Sequence, residues 1–268
     1  MGWQSRGRAG FATTGEKQYN TSMNQFLRLL LAAILCSLSM SAFAEEGGKK
    51  IRVLIVTGGH DFEREPFFKM FKDNPDISFV AAEHPNAHAL LRPEKAKDFD
   101  VMVTYDMHQP ISDQAKSDFV EFLKAGKGLV VLHHAIASYK DWPEYQQIIG
   151  ARYYLGPVEV DGVQKPASKW KHGVDIAIEV ADASHPVTRG LKDFRIRDET
   201  YKLFDFFPGS TVLLTTKEPL SNREVAWARR YRGAGVVYIQ SGHDHVAFEH
   251  PDYRKLVRQA IQWTAKKG

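Results

Sequence analysis

The chain has 268 residues, of which 43% are hydrophobic and 12% aromatic, and its formal charge is +4. That length can bury one sizeable α/β core and calls for no second domain. Much of the excess charge sits near the ends, in Arg6, Arg8, Lys17, Arg28, Lys266 and Lys267. No basic stripe interleaved with aromatics is present, which excludes nucleic acid as an expected partner.

Residues 1–22 are rich in Gly, Ser, Thr and Gln and fit no region of a signal peptide. From Met23 the pattern changes: a short basic start ending at Arg28, an apolar run over 29–40, and Ser41-Ala42-Phe43-Ala44, the small-x-small pattern of a secretory cleavage site. The expected organisation is a leader over 1–44 containing a signal over 23–44 cut after Ala44, a linker over 45–50, and one domain over 51–266. Translation is expected to begin at Met23 rather than Met1, and the mature protein to be periplasmic or secreted. The apolar run is too short for a comfortable membrane span, so no stable membrane insertion is expected after cleavage. The one cysteine, Cys36, falls inside the leader, leaving the mature chain without a disulfide, a thiolate ligand or a cysteine nucleophile.

After the linker, strands and helices alternate. A strand over 51–57 turns at Gly58-Gly59 into His60-Asp61, and a helix is expected over 62–71. Strands follow over 77–82 and 99–105, the latter running into Asp106-Met107-His108. Ser112 caps a helix with an apolar stripe of Phe119, Phe122 and Leu123, which Gly126 stops. Gly128-Leu-Val-Val-Leu132 then reads as a central strand covered on both faces and ends in His133-His134. Residues 139–173, rich in Trp, Tyr, Pro and Gly, suggest a long excursion over the strand ends. Strands are expected over 174–180, 211–216, 224–231 and 235–240, and an amphipathic helix over 253–265. Such alternation indicates a three-layer α/β fold around a mostly parallel sheet.

Four strand-like runs finish in histidine, at His60, His108, His133-His134 and His243-Asp244-His245. Ligands in open α/β sheets collect beyond the carboxyl ends of the strands, so this coincidence is the main functional signal. A single histidine is more often a packed side chain bonded to a backbone carbonyl; four coincident ones favour proton transfer or metal ligation. The His133 turn sits where α/β hydrolases and amidotransferases place a nucleophile. Val131 and Ala135 replace the glycines that flank such an elbow, which argues against its tightest form. Asp198-Glu199-Thr-Tyr201 offers two carboxylates and a phenol, suited either to ligation and general base work or to a surface turn paired with Arg195 or Arg197. His243 and His245 are spaced for joint ligation on a strand, though the Gly242 turn intervenes. His172 is a candidate to reach the cleft, and Trp142, Tyr153, Tyr154 and Trp170 are candidates either for flat faces against a sugar ring or for ordinary core or loop packing. No His-Glu-x-x-His, Walker A or dinucleotide fingerprint is present.

These residues carry a family resemblance. Gly58-Gly59-His60, Asp106-Met107, Gly128 to Ala135, His185-Pro186-Val-Thr-Arg-Gly190, Asp198 to Tyr201, Gln240-Ser-Gly-His243-Asp244 and Ala260-Ile-Gln-Trp263 together resemble the ThuA-like (trehalose-utilisation) domain. This is a branch of the class I glutamine amidotransferase-like superfamily, and the resemblance covers essentially the whole mature chain. It implies a flavodoxin-like, three-layer fold with His133 in place of the amidotransferase cysteine, so glutamine hydrolysis through a thioester is excluded. It further implies carbohydrate catabolism, acting on a small-molecule sugar oxidised to a 3-keto form. The ketone acidifies a neighbouring C–H, and proton removal gives an enediolate open to isomerase, lyase or hydrolase outcomes. On this reading His133, His134 and Glu199 are catalytic. Asp106, His108, Trp142, Trp170, His172 and Tyr201 bind substrate, and His60, His133 and His243 hold a divalent metal such as zinc. The alternatives are a non-catalytic carbohydrate-binding protein and a zinc hydrolase of ordinary glycosides or amides.

Overall fold

The computed structural model describes residues 1–2 and 49–266; the expected signal over 23–44 and Cys36 lie outside them. In chain order the elements are β1 (Ile51–Gly58), α1 (Arg64–Lys72), β2 (Ile77–Glu83), α2 (Pro93–Ala96), β3 (Val101–Asp106), α3 (Asp113–Lys124) and β4 (Gly128–Leu132). A 3₁₀ turn over His133–Ala137 leads to α4 (Pro143–Ile149) and the short strands β5 (Ala151–Arg152), β6 (Val158–Val160) and β7 (Val163–Lys165). There follow β8 (Lys169–Val180), β9 (Phe194–Lys202), β10 (Asp205–Phe206), β11 (Thr211–Thr216), β12 (Glu224–Tyr231), β13 (Ala234–Ile239), α5 (His245–Glu249) and α6 (Pro251–Thr264).

Nine strands form one sheet in the order β2-β1-β3-β4-β13-β12-β11-β8-β9. The first five pair in parallel and the other four join antiparallel, so only β12 and β8 run against the rest. Side chains alternate across each strand, and the two faces bury separate cores. Val53, Ile55, Val103, Val130 and Val237 face Phe67 and Phe71 of α1 and Leu256 and Ile261 of α6. Leu54, Met102, Leu129, Val131 and Tyr238 face Phe119 and Leu123 of α3 and Tyr145 and Ile149 of α4. This is the expected three-layer arrangement. The Ser112 hydroxyl caps α3 by accepting the Ala115 N–H at 3.2 Å. Among the described residues no helix is long and apolar enough to cross a membrane.

The expected excursion over 139–173 is partly ordered into regular structure. It contains α4, and its last residues belong to β8, which starts at Lys169 rather than near 174. Trp170 pairs with Tyr201 and Val174 with Asp198, with a register shift between them. Gly173 sits in that shift at φ +72°. The glycine therefore marks a bulge inside one long strand and not its start.

Candidate functional site

His133 leaves β4 in the left-handed region, at φ +51°. The expectation of a relaxed turn is thus corrected: the strained elbow forms despite Val131 and Ala135. Val131 points into the α3 core and is fully buried, so its bulk does not oppose the turn. A left-handed non-glycine residue costs about 1–2 kcal/mol, and the surroundings hold it. The His133 Nδ1–H donates to the Gln240 carbonyl at 2.7 Å, and the His133 carbonyl accepts from the Tyr238 hydroxyl at 3.2 Å. A carbonyl oxygen can only accept, so the ring nitrogen facing it, Nδ1, carries the proton and Nε2 presents its lone pair. Burial pushes His133 down to about 3, opposed by the Gln240 bond and reinforced by the neighbouring histidines.

Around that lone pair the chain gathers three groups. The Tyr201 hydroxyl lies 2.9 Å from His133 Nε2, His243 Nδ1 at 3.3 Å and Glu199 Oε1 at 3.6 Å. Glu199 Oε2 is in turn 3.6 Å from His243 Nδ1. Glu199 and Tyr201 come from β9, five strand steps from β4 (β4-β13-β12-β11-β8-β9). In a flat sheet those steps would span about 24 Å, so the β8–β9 edge must curl back over the strand ends. Asp198, fully buried, holds the opposite side. Its carboxylate accepts the N–H groups of Gly242 at 2.7 Å, His243 at 3.1 Å and Glu199 at 2.8 Å. Burial raises Asp198 to about 7 against the pull of these bonds. Burial likewise raises Glu199 to about 7. Neither carboxylate pairs with Arg195 or Arg197; Arg197 instead lies 3.7 Å from Asp175.

These groups open onto a cleft of about 510 Å³ lined by His60, His134, His172, Glu199, Tyr201, His243 and Trp170 among others. His134 is buried, neither of its ring nitrogens has a partner among the described residues, and burial holds it well below the ordinary histidine range. His60 stacks on it at 4.6 Å. His172 lies against His243, with ring centroids 4.4 Å apart.

The remaining sequence candidates lie elsewhere. Asp106 and His108 join a second cluster with His84, His88 and Tyr139: His84 Nε2 is 2.9 Å from Asp106 Oδ2, and the His84 and His108 rings stack at 4.2 Å. Trp142 is 5% exposed and packs edge-on against Phe119, so it presents no face to the cleft. His245 turns away to Glu63, 2.9 Å from its Oε2, and shares no ligation with His243. The sequence reading passed over His84 and His88, although His84 directly follows β2 and obeys the same strand-end rule. It also gave Asp198 no distinct role, because a buried acceptor of backbone N–H groups has no spacing signature.

Among the described residues one set of side chains is placed to hold a metal ion: His133, Glu199 and His243, with one donor atom from each within 4.8 Å of the others. His60, expected as a ligand, is not in it; its Nδ1 lies 2.6 Å from the Asp61 carbonyl. Donors at about 2.0–2.1 Å from a tetrahedral ion stand about 3.3 Å apart, close to the 3.3 Å and 3.6 Å spacings found. The His133 N–H bonded to a backbone carbonyl is the usual support for a ligating imidazole. His133 Nε2 and His243 Nδ1, 3.3 Å apart, can each turn a lone pair toward a cation between them. The residues present fit a divalent cation.

Fold and cleft together define an α/β protein whose histidine and carboxylate groups converge at the carboxyl ends of the strands. The chain belongs to the ThuA family, described as trehalose utilisation, whose sequence pattern matches residues 52–264. No curated protein matches the chain. Among solved structures it is similar to a ThuA-like protein of Parabacteroides merdae, with 18% identity, TM-score 0.68, and 81% of this chain and 91% of that one covered. A ThuA-like protein of Bacteroides uniformis shows 19% identity, TM-score 0.62, and 83% and 95% coverage. A cytoplasmic protein of Salmonella typhimurium shares the fold at 10% identity, TM-score 0.55, and 81% and 100% coverage.

Proposed function

We propose that this protein is an exported enzyme of carbohydrate catabolism that abstracts a proton beside the ketone of an oxidised (3-keto) glycoside. The observation that carries the reading is the convergence of His133 Nε2, Glu199 and His243 Nδ1 at the cleft floor, in a family described as trehalose utilisation. A divalent cation such as zinc, held by those three side chains, would supply an electrophile for the substrate carbonyl oxygen. His134 then takes the proton. It lines the cleft, its ring nitrogens are unpartnered among the described residues, and the negative charge of the forming enediolate offsets the burial that otherwise keeps it neutral. His60, stacked against it, confines the ring to one plane. Tyr201 directs its hydroxyl toward the same floor. Export follows the reading of residues 23–44 as a secretory signal, which amino-terminal sequencing of secreted protein would check at Ala44.

Incubating the protein with a 3-keto-glycoside in D2O tests the chemistry. Deuterium should enter the carbon beside the ketone, and His134→Asn should slow that exchange by about a hundredfold or more. Absence of exchange in the wild type would contradict the enzyme reading and favour a carbohydrate-binding role.

A further inference from the structure

The second histidine cluster is used by no step proposed above, and it is built where β2 and β3 end. His84, with its side chain 1% exposed, directs Nε2 to Asp106 Oδ2 at 2.9 Å. The Tyr139 hydroxyl stands 3.1 Å from His84 Nε2, 3.3 Å from Asp106 Oδ2 and 3.1 Å from His88 Nε2. His108 stacks flat on His84 at 4.2 Å, and His88 meets the same ring edge-on at 4.5 Å. A carboxylate only accepts, so His84 Nε2 carries a proton. Its Nδ1 is buried with no partner among the described residues, so a second proton on that ring would find no acceptor. The charged groups acting on His88 are His84, His108 and Asp106, and those acting on His108 are His84 and Asp106. Three imidazoles thus share one carboxylate. Asp106 can offset one added charge, and a second meets its like across a stacked ring, away from water.

The same segments hold one wall of the cleft. The Asp106 carbonyl accepts from the Ser138 hydroxyl at 2.9 Å, and the Tyr139 N–H donates to the His108 carbonyl at 3.0 Å. The Gln109 side-chain amide donates to the Ala137 carbonyl at 2.9 Å. These bonds lace 106–109 to 137–139, and Met107 and Ala137 of that seam line the cleft. We propose that the cluster is an acid-operated latch: with His88 and His108 neutral it holds the seam closed, and their protonation parts the seam and loosens the Met107 wall of the cleft. The latch does not depend on the chemistry proposed above. Its sign follows from burial, which with repulsion from His84 and His108 lowers His88 to about 4 and with repulsion from His84 also lowers His108. In an opened cluster the histidines return toward about 6.5. The open form then binds more protons, so opening is increasingly favoured as pH falls from about 6.5 to about 4 and is not driven at higher pH.

Hydrogen exchange of the full chain, read by mass spectrometry and corrected for the intrinsic rate, tests the latch at about pH 7 and about pH 4.5. In the wild type, peptides over 105–109 and 137–140 should lose about tenfold or more of their protection at the lower pH, while α6 keeps its own. Those peptides contain the Met107 and Tyr139 amides, bonded to the Gly58 and His108 carbonyls. His108→Phe keeps a stacked ring without a basic nitrogen, and His88→Gln removes the other titrating group. The double variant should hold the protection of the seam to within about twofold across the same pH range. Equal seam protection at both pH values in the wild type would overturn the inference. So would a parallel loss in α6, which marks global unfolding, or a loss that the double variant shows to the same extent. The wild-type comparison decides alone if the double variant does not fold.

Discussion

His133 Nε2 and His243 Nδ1 stand 3.3 Å apart across 110 residues of chain. One turn arranges both. Gln240 fixes the His133 tautomer through its carbonyl, and three residues later the same turn supplies His243, whose N–H is held by Asp198. The pair is thus set by backbone contacts and not by side-chain packing alone.

Asp198 should consequently matter more than its absence of solvent contact suggests. Asp198→Ala leaves the N–H groups of Gly242 and His243 without their acceptor. Each buried, unsatisfied donor costs about 1–3 kcal/mol, so the loss should be about 2–6 kcal/mol in all. In a domain of this size that lowers Tm by at least about 4 °C. A thermal melt within about 1 °C of wild type would show that the turn holds itself.

The elbow makes a prediction about two truncations of one side chain. At φ +51° glycine is unstrained and alanine is not, so His133→Gly should be more stable than His133→Ala by about 1 kcal/mol in urea denaturation. In a relaxed strand or turn the order would be reversed.

Acid stability should carry a signature of the second cluster. Burial, with repulsion from His84 and His108, lowers His88 to about 4. A histidine depressed in the fold binds fewer protons there than in the unfolded chain between about 4 and 6.5. The His88 contribution to stability should therefore rise with pH across that window and be lost as pH falls through it, against the opposite slope of the raised Asp198 and Glu199. His88→Gln should flatten this slope, worth about 1–2 kcal/mol after allowance for solvent screening. An unchanged profile of Tm against pH from 4 to 6.5 would contradict the assignment.

Most of the architecture was legible in the sequence because apolar runs ending in turns are local signals. The capped helix α3, the buried strand β4 and the amphipathic helix α6 each declare themselves within a dozen residues or so. The curl of the β8–β9 edge does not, since it depends on a bulge at Gly173 and on contacts across five strands. Glu199 could be named as a carboxylate near the site but not as the partner of His133 and His243 in place of His60. Strand-end position alone could not tell His108, which stacks on His84, from His134, which lines the cleft. Trp142 and Trp170 looked alike as aromatic residues in one loop-rich stretch, yet one is core and the other open to solvent.

Zinc binding, measured by calorimetric titration of metal-stripped protein, tests the central claim most directly. One ion per chain should bind the wild type, and His133→Ala, His243→Ala and Glu199→Gln should each lower the affinity by about tenfold or more, since each removes or neutralises one of three donors. Wild-type protein that binds no zinc, or variants that bind it as tightly as the wild type, would contradict the account.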